Sequence, residues 1–175
     1  MNGLKELCLL NGVSGDEGKV RSYVLEKIKD AASEITVDPL GNIIAFKKGK
    51  IKTGKKILLC AHMDEVGFII KSIDDEGYLR FETVGGIDRK VLLARRVAIG
   101  DGVKGVIGVK AVHLQSKEER GNTIKTEDMY IDIGAKNKEE AQGLVKLGDY
   151  ASFYGEFTLF GDERICSKAL DDRCG

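Results

Sequence analysis

Apolar residues recur along this chain in two rhythms. Near the N-terminus the spacing is helical. Leu4, Leu7 and Cys8 share one face of a short helix predicted over residues 3–11. Val20, Tyr23, Val24, Lys27 and Ile28 recur at three- and four-residue intervals and predict a second helix. Ser14-Gly15-Asp16-Glu17 has the Ser-x-x-Glu form of a capping box that would start it, with Asp16 and Glu17 at the positive helix end. Beyond residue 33 the rhythm shortens. Residues 34–38 and 42–47 read as strands around a turn holding Pro39, the chain's one proline. Residues 56–61 are an apolar run ended by His62 and read as a buried central strand, with Cys60 inside it as a small core residue. Further short runs follow at 66–73, 78–84, 93–99, 103–112, 129–133, 149–153, 156–160 and 164–168, separated by glycine-containing turns. Many short strands of this kind predict a small β-barrel or sandwich. One helix interrupts them over residues 138–146, capped by Asn137, and Ser116-Lys117-Glu118-Glu119 reads as the start of another short turn.

The two rhythms divide the chain. Residues 1–71 and 164–175 read as parts of one α/β domain, with residues 72–163 as a β-barrel-like insert. Lysine plus arginine and aspartate plus glutamate both number 28, so the net charge is zero, which argues against a dedicated nucleic-acid or membrane-surface protein. No apolar run approaches the roughly 18 residues of a membrane span. The stretch Met1-Asn2-Gly3-Leu4-Lys5-Glu6 has no basic region leading into a long apolar one, so no secretory signal is read there and the expected location is the cytoplasm. Cys8, Cys60, Cys166 and Cys174 contain no Cys-x-x-Cys pair and are expected to be reduced thiols. Cys174 lies close to Asp171, but without a histidine nearby in sequence it is assigned a packing role. Lys47 to Lys56 is a basic, glycine-containing loop that reads as solvated. His113 reads as a structural histidine of the insert.

The chemistry centres on His62-Met63-Asp64-Glu65. If the strand continued past His62, that residue and Asp64 would share a face at its C-terminal end, where open α/β sheets hold their sites. An imidazole beside a carboxylate suits a metal ligand with its orienting partner. The triplet alone fits a capped core histidine next to a turn carboxylate at least as well. Asp171-Asp172, after an apolar strand end, equally fits a helix cap.

Taken together, His62-Met63-Asp64-Glu65-Val66-Gly67-Phe68, Gly85-Gly86 and Lys168-Ala169-Leu170-Asp171-Asp172-Arg173 resemble the tetrahedral or glutamyl aminopeptidases, dinuclear metallopeptidases of clan MH, some of which carry an endoglucanase label. The hairpin Asp38-Pro39-Leu40-Gly41-Asn42 resembles the corresponding family segment. The resemblance runs from about Leu4 to Gly175. It implies a partial zinc-peptidase-like (phosphorylase/hydrolase-like) α/β domain with an inserted small β-barrel that drives homo-oligomerisation. It also implies two divalent ions, zinc or cobalt, and a peptide substrate. By position, His62 would bind one metal, Asp171 would bridge both, Asp64 would orient His62, and the Asp171–Asp172 peptide would be cis.

The family draws its catalytic glutamate and remaining ligands from sequence beyond the bridging aspartate, whereas this chain has four residues after Asp171. Glu65 is not assigned as the base. The expectation is therefore a truncated aminopeptidase chain, inactive alone. A non-catalytic self-association module is the alternative. A glucan hydrolase ranks last, because that chemistry needs two carboxylates flanking a sugar bond and this chain has no tryptophan for a sugar to stack on.

Overall fold

The computed structural model describes residues 2–51, 54–110 and 124–175. His113, the Ser116–Glu119 turn and the end of the run at 103–112 lie outside the described residues.

Helix α1, Asn2–Leu9, and helix α2, Gly18–Ile28, form where the helical spacing predicts them, and they bury Cys8 and Val20. The capping box does not form. Helix α2 begins four residues after Ser14, with Glu17 at its cap and no side-chain capping bond. Instead, Glu17 accepts a hydrogen bond from the Gly15 amide at 2.7 Å, and Ser14 is drawn to a distant partner described below. Strands β1, Glu34–Val37, and β2, Ile43–Phe46, make a two-stranded hairpin. Its turn is set by Asp38, whose carboxylate accepts from the amides of Leu40 (3.0 Å) and Asn42 (2.9 Å) and from the Asn42 side chain (2.8 Å).

Six strands close into an antiparallel barrel: β3 Gly67–Ile73, β4 Leu79–Val84, β5 Arg96–Ile99, β6 Val103–Val109, β7 Met129–Asp132 and β8 Tyr150–Phe153. Their order around the barrel is β3-β4-β7-β6-β5-β8. Closure gives each barrel strand a neighbour on both sides, although β4 meets β7 only through Leu79 and Ile131. Between Ile70 and Ser72 the register of β3 against β4 shifts by one residue. That extra residue turns Ile73, rather than Ser72, inward beside Phe68 and Ile70. Helix α3, Lys138–Leu144, covers the barrel with Ala141, and the Asn137 side chain accepts from the Glu140 amide at 2.9 Å, as the sequence predicts.

The core is the barrel interior, a single apolar cluster from Phe68 to Ala151. Phe68 sits at its centre, fully buried, with edge-to-face contacts to Phe81 and Phe153 at 5.1 Å each. Phe68→Ala is expected to cost about 3–5 kcal/mol of stability in denaturant titration, the range for emptying a buried aromatic site. A loss below about 1 kcal/mol would mean that the barrel is not the stabilising core.

The structure corrects three sequence expectations. Residues 56–61 form no strand, and Ile57, Leu58 and Leu59 are 88%, 84% and 90% exposed. A strand needs a neighbour to pair its backbone groups. Strands β1 and β2 pair only with each other, and no described strand runs beside 56–61. Cys60 is consequently exposed, and Cys174 is exposed too, donating to the Leu170 carbonyl at 2.8 Å rather than packing in a core. The strand predicted at 156–160 within the insert does not join the barrel: β9, Thr158–Phe160, pairs with β10, Arg164–Cys166, which the sequence places outside the insert.

Candidate metal centre

Three segments distant in sequence converge on the N-terminal end of β3. Residues 12–14, after α1, lie parallel to residues 62–66: the Glu65 amide donates to the Gly12 carbonyl (2.9 Å) and the Ser14 amide to the Glu65 carbonyl (3.2 Å). The C-terminal turn, Leu170–Arg173, closes over both. It is not a regular helix, since Asp171 (φ −91°, ψ 106°) and Asp172 (φ −123°, ψ 44°) depart from helical angles, and the peptide between them is cis, as the resemblance implies. Thus Asp171-Asp172 does not cap a helix.

His62 is not the end of a strand, yet it still lies where the three segments meet. Its Nδ1 is 2.9 Å from Asp64 Oδ1 and its Nε2 is 2.9 Å from Asp171 Oδ1, so one imidazole joins carboxylates 107 residues apart in sequence. An ionised carboxylate only accepts, so each contact needs a ring N–H and the pair favours imidazolium. The hydrogen bond to Asp171 raises the His62 pKa above its ordinary 6.5 against the opposing effect of desolvation, and the bond to Asp64 adds to the rise. Asp64 shifts down. The main cause is a short hydrogen bond donated by the Ser14 hydroxyl, which exceeds the opposing effect of burial, and His62 contributes further.

Ser14 was therefore misread in sequence as a helix cap. Its hydroxyl holds Asp64 Oδ2 while Asp64 Oδ1 holds His62. No local pattern could have shown this, because the bond spans 50 residues.

Beneath the site lies a buried ion cluster that the sequence did not disclose. Glu65 accepts from the Gly12 amide (3.0 Å) and from Lys168 Nζ (2.6 Å), and Arg173 Nη2 lies 3.6 Å away. The three side chains are 4%, 9% and 1% exposed. Lys168 also donates to the Leu10 carbonyl and Asn11 Oδ1, both at 3.0 Å. Arg173 donates to the Met63 carbonyl (2.7 Å) and to the Leu7 carbonyl (2.5 Å) near the end of α1. Burial lowers the Lys168 pKa, with Glu65 opposing that shift. Lys168 and Arg173 bracket Asp171 in the motif that carries the resemblance, which was the one available hint.

A cleft of about 850 Å³ opens from His62 and Asp171 towards the barrel, where Arg95, Arg96 and Tyr154 line it. The donor types fit a divalent cation. Asp64 occupies Nδ1, so Nε2 is the ring nitrogen left for a metal, and the Asp171 carboxylate faces it with 96% of its side chain exposed. No group of three or more His, Cys, Asp or Glu side chains able to hold a metal occurs among the described residues, so these residues supply part of a coordination shell.

Residues 41–175 match the family model for M42 glutamyl aminopeptidase. The chain belongs to this family. It is 46% identical over 172 residues to a protein of Acetivibrio thermocellus that carries an aminopeptidase name, covering 98% of this chain and 49% of that one. It is 34% identical over 177 residues to the lysyl aminopeptidase of Pyrococcus furiosus, covering 97% and 50%. The chain spans about half the length of the curated relatives it matches. Among solved structures, the TET aminopeptidase of a marine-sediment Thaumarchaeota archaeon superposes with a TM-score of 0.86 at 39% identity, covering 92% of this chain and 46% of that one. A Thermotoga maritima protein described as an endoglucanase gives 0.84 at 40%, covering 98% and 50%. A Pyrococcus horikoshii TET peptidase, described as assembling into a tetrahedron or a large octahedral shell, gives 0.84 at 41%, covering 98% and 52%. The fold is thus that of the TET aminopeptidases, an α/β unit carrying a small inserted barrel.

Proposed function

We propose that this chain is part of a metal-dependent aminopeptidase that removes N-terminal residues from peptides. The observation that carries the reading is His62 held between Asp64 and Asp171. His62 Nε2 and Asp171 would be this chain's donors to divalent ions, zinc or cobalt. Bound there, such ions supply a water of lowered pKa and polarise the scissile carbonyl. The chain's own residues act around them. Asp64 keeps the proton on Nδ1, so Nε2 presents its lone pair. Ser14 fixes Asp64, and the buried Glu65 cluster fixes the loop that carries both. The insert, read in sequence as residues 72–163 although its barrel begins with β3 at Gly67, is the homo-oligomerisation unit, a reading supported by the assembly described for the Pyrococcus horikoshii peptidase. No described helix is long and apolar enough to cross a membrane, and the four cysteines are free thiols. We place the protein in the cytoplasm.

Two donors are fewer than the three or four protein ligands of a zinc site. The 175-residue chain alone is therefore expected to lose zinc on dialysis and to leave aminoacyl anilides uncut, while the gene product carrying it, supplied with zinc or cobalt, cleaves them. A metal-free preparation that hydrolyses soluble glucan and leaves peptides intact would overturn this in favour of a glycosidase.

Two further outcomes are expected of the metal-loaded protein. Asp64→Asn should weaken zinc binding about 10–100-fold, the usual effect of losing a ligand's carboxylate partner. Equal zinc affinity in mutant and parent would remove Asp64 from the site. The pH dependence follows from the raised His62 pKa. A metal must displace the Nε2 proton, so apparent zinc affinity should begin to fall about tenfold per pH unit already above the ordinary 6.5. Competition with a chelating dye between about pH 5 and 9 reads this. Affinity that stays flat down to pH 6 would mean that His62 does not bind the ion.

A further inference from the structure

The cleft that holds His62 is also lined by cations that the metal chemistry leaves unused. Arg95, just before β5, donates from Nε to the Val91 carbonyl at 2.9 Å, which anchors the guanidinium and leaves its terminal nitrogens free to donate elsewhere. Arg96, the first residue of β5, lies over the Tyr154 ring at 5.3 Å, and Lys104 of β6 approaches the same ring at 4.8 Å. The ring thus holds two cations beside it, Arg96 in this cleft and Lys104 in the neighbouring one. Neither arginine makes an ion pair with a described residue. A second cleft of about 580 Å³, which Lys104 lines, shares Phe153, Tyr154, Gly155, Glu156 and Lys168 with the first, so the two have a wall in common. Glu156 is the carboxylate on the shared wall, against the three cations Arg95, Arg96 and Lys104. Asp64 and Asp171 line the same cleft, so it carries both carboxylates suited to a metal and two arginines that no described carboxylate pairs with.

We propose that Arg95 and Arg96 form a subsite for a carboxylate of the peptide substrate. The inference rests on the aminopeptidase reading. A guanidinium presents a planar fork that matches a carboxylate in two parallel hydrogen bonds. Here one guanidinium is tethered through Nε and the other is stacked on an aromatic face, so little freedom is lost on binding. A peptide held at His62 occupies the cleft that this pair lines, and its carboxylate has one of two sources: the side chain of an acidic N-terminal residue or the C-terminus of a short peptide.

The test is an NMR titration of the 175-residue chain that follows the arginine side-chain signals. The probes are Ala-Ala, which offers a C-terminal carboxylate, Glu-Ala-amide, which offers a side-chain one, and Ala-Ala-amide, which offers neither. The expected result is a shift of Arg95 and Arg96 signals with at least one carboxylate probe and none with Ala-Ala-amide. The Arg95→Gln/Arg96→Gln double variant should bind that probe at least tenfold more weakly. Whichever carboxylate probe responds identifies the source. Equal responses to all three probes, or unchanged affinity in the double variant, overturn the subsite. The exposed positions of both arginines make misfolding an unsuitable excuse, and the barrel's amide spectrum checks it directly. Hydrolysis of the same peptides by the metal-loaded gene product is a separate readout. Its complete absence would overturn the aminopeptidase reading and leave the titration result standing.

Discussion

Glu65→Ala is expected to destabilise the chain by about 3–5 kcal/mol, the range for removing one partner of a buried ion pair. The carboxylate lies between Lys168 Nζ at 2.6 Å and Arg173 Nη2 at 3.6 Å, with all three side chains at least nine-tenths buried. Truncation would leave two cations facing each other out of water and orphan the Gly12 amide. The energy arises from the two cations left unpaired, rather than from the net worth of the original cluster. Lys168→Met is accordingly expected to cost less, because Arg173 remains to neutralise Glu65. Denaturant unfolding of the two variants reads the difference. A Glu65→Ala loss below about 1 kcal/mol would show that water reaches the cluster and that it does not tie the site together. The same substitution should loosen the Gly12–Ser14 segment against residues 62–66, and with it the Ser14 hold on Asp64.

Asp171→Asn in the gene product carrying this chain is expected to lower kcat/KM on aminoacyl substrates on the order of 10³-fold, about 4 kcal/mol of transition-state stabilisation. The amide keeps the shape of the side chain but loses the charge and one of the two oxygens that a bridging ligand must offer. Zinc content should fall in the same variant, which separates loss of metal from a local folding defect. Asp75→Asn is the matched control, because Asp75 is an exposed carboxylate of the β3–β4 turn that pairs with Lys138 at 3.3 Å, outside the cleft. Full activity and metal content in Asp171→Asn would end its assignment as a ligand.

Much of this protein was legible in its sequence, and the failures share a cause. The barrel was readable because strands of the barrel alternate against a shared interior, so each run carries its own evidence, as Phe68, Ile70, Leu79 and Phe81 do. Helix α3 and its Asn137 cap were readable because a cap is a contact over three residues. Residues 56–61 carry an equally strong apolar signal, yet remain exposed and irregular, because a strand depends on a partner that its own sequence does not name. Ser14 failed in the same way. The Ser-x-x-Glu pattern was present, but Asp64, 50 residues away, took the hydroxyl.

The site divides along the same line. His62, Asp64 and Asp171 stand in the motifs that carry the family resemblance, and the metal roles proposed for them come from that resemblance rather than from their residue types alone. Only the tertiary structure placed Nε2 of His62 against Asp171, turned Ser14 from a cap into an orienting donor, and assembled Glu65, Lys168 and Arg173 into one buried cluster. Local sequence determines contacts made within a turn or a strand, because there the chain itself sets the spacing. Contacts across 50 to 110 residues depend on where separate segments are packed, and that is decided by burial of the whole rather than by any one stretch.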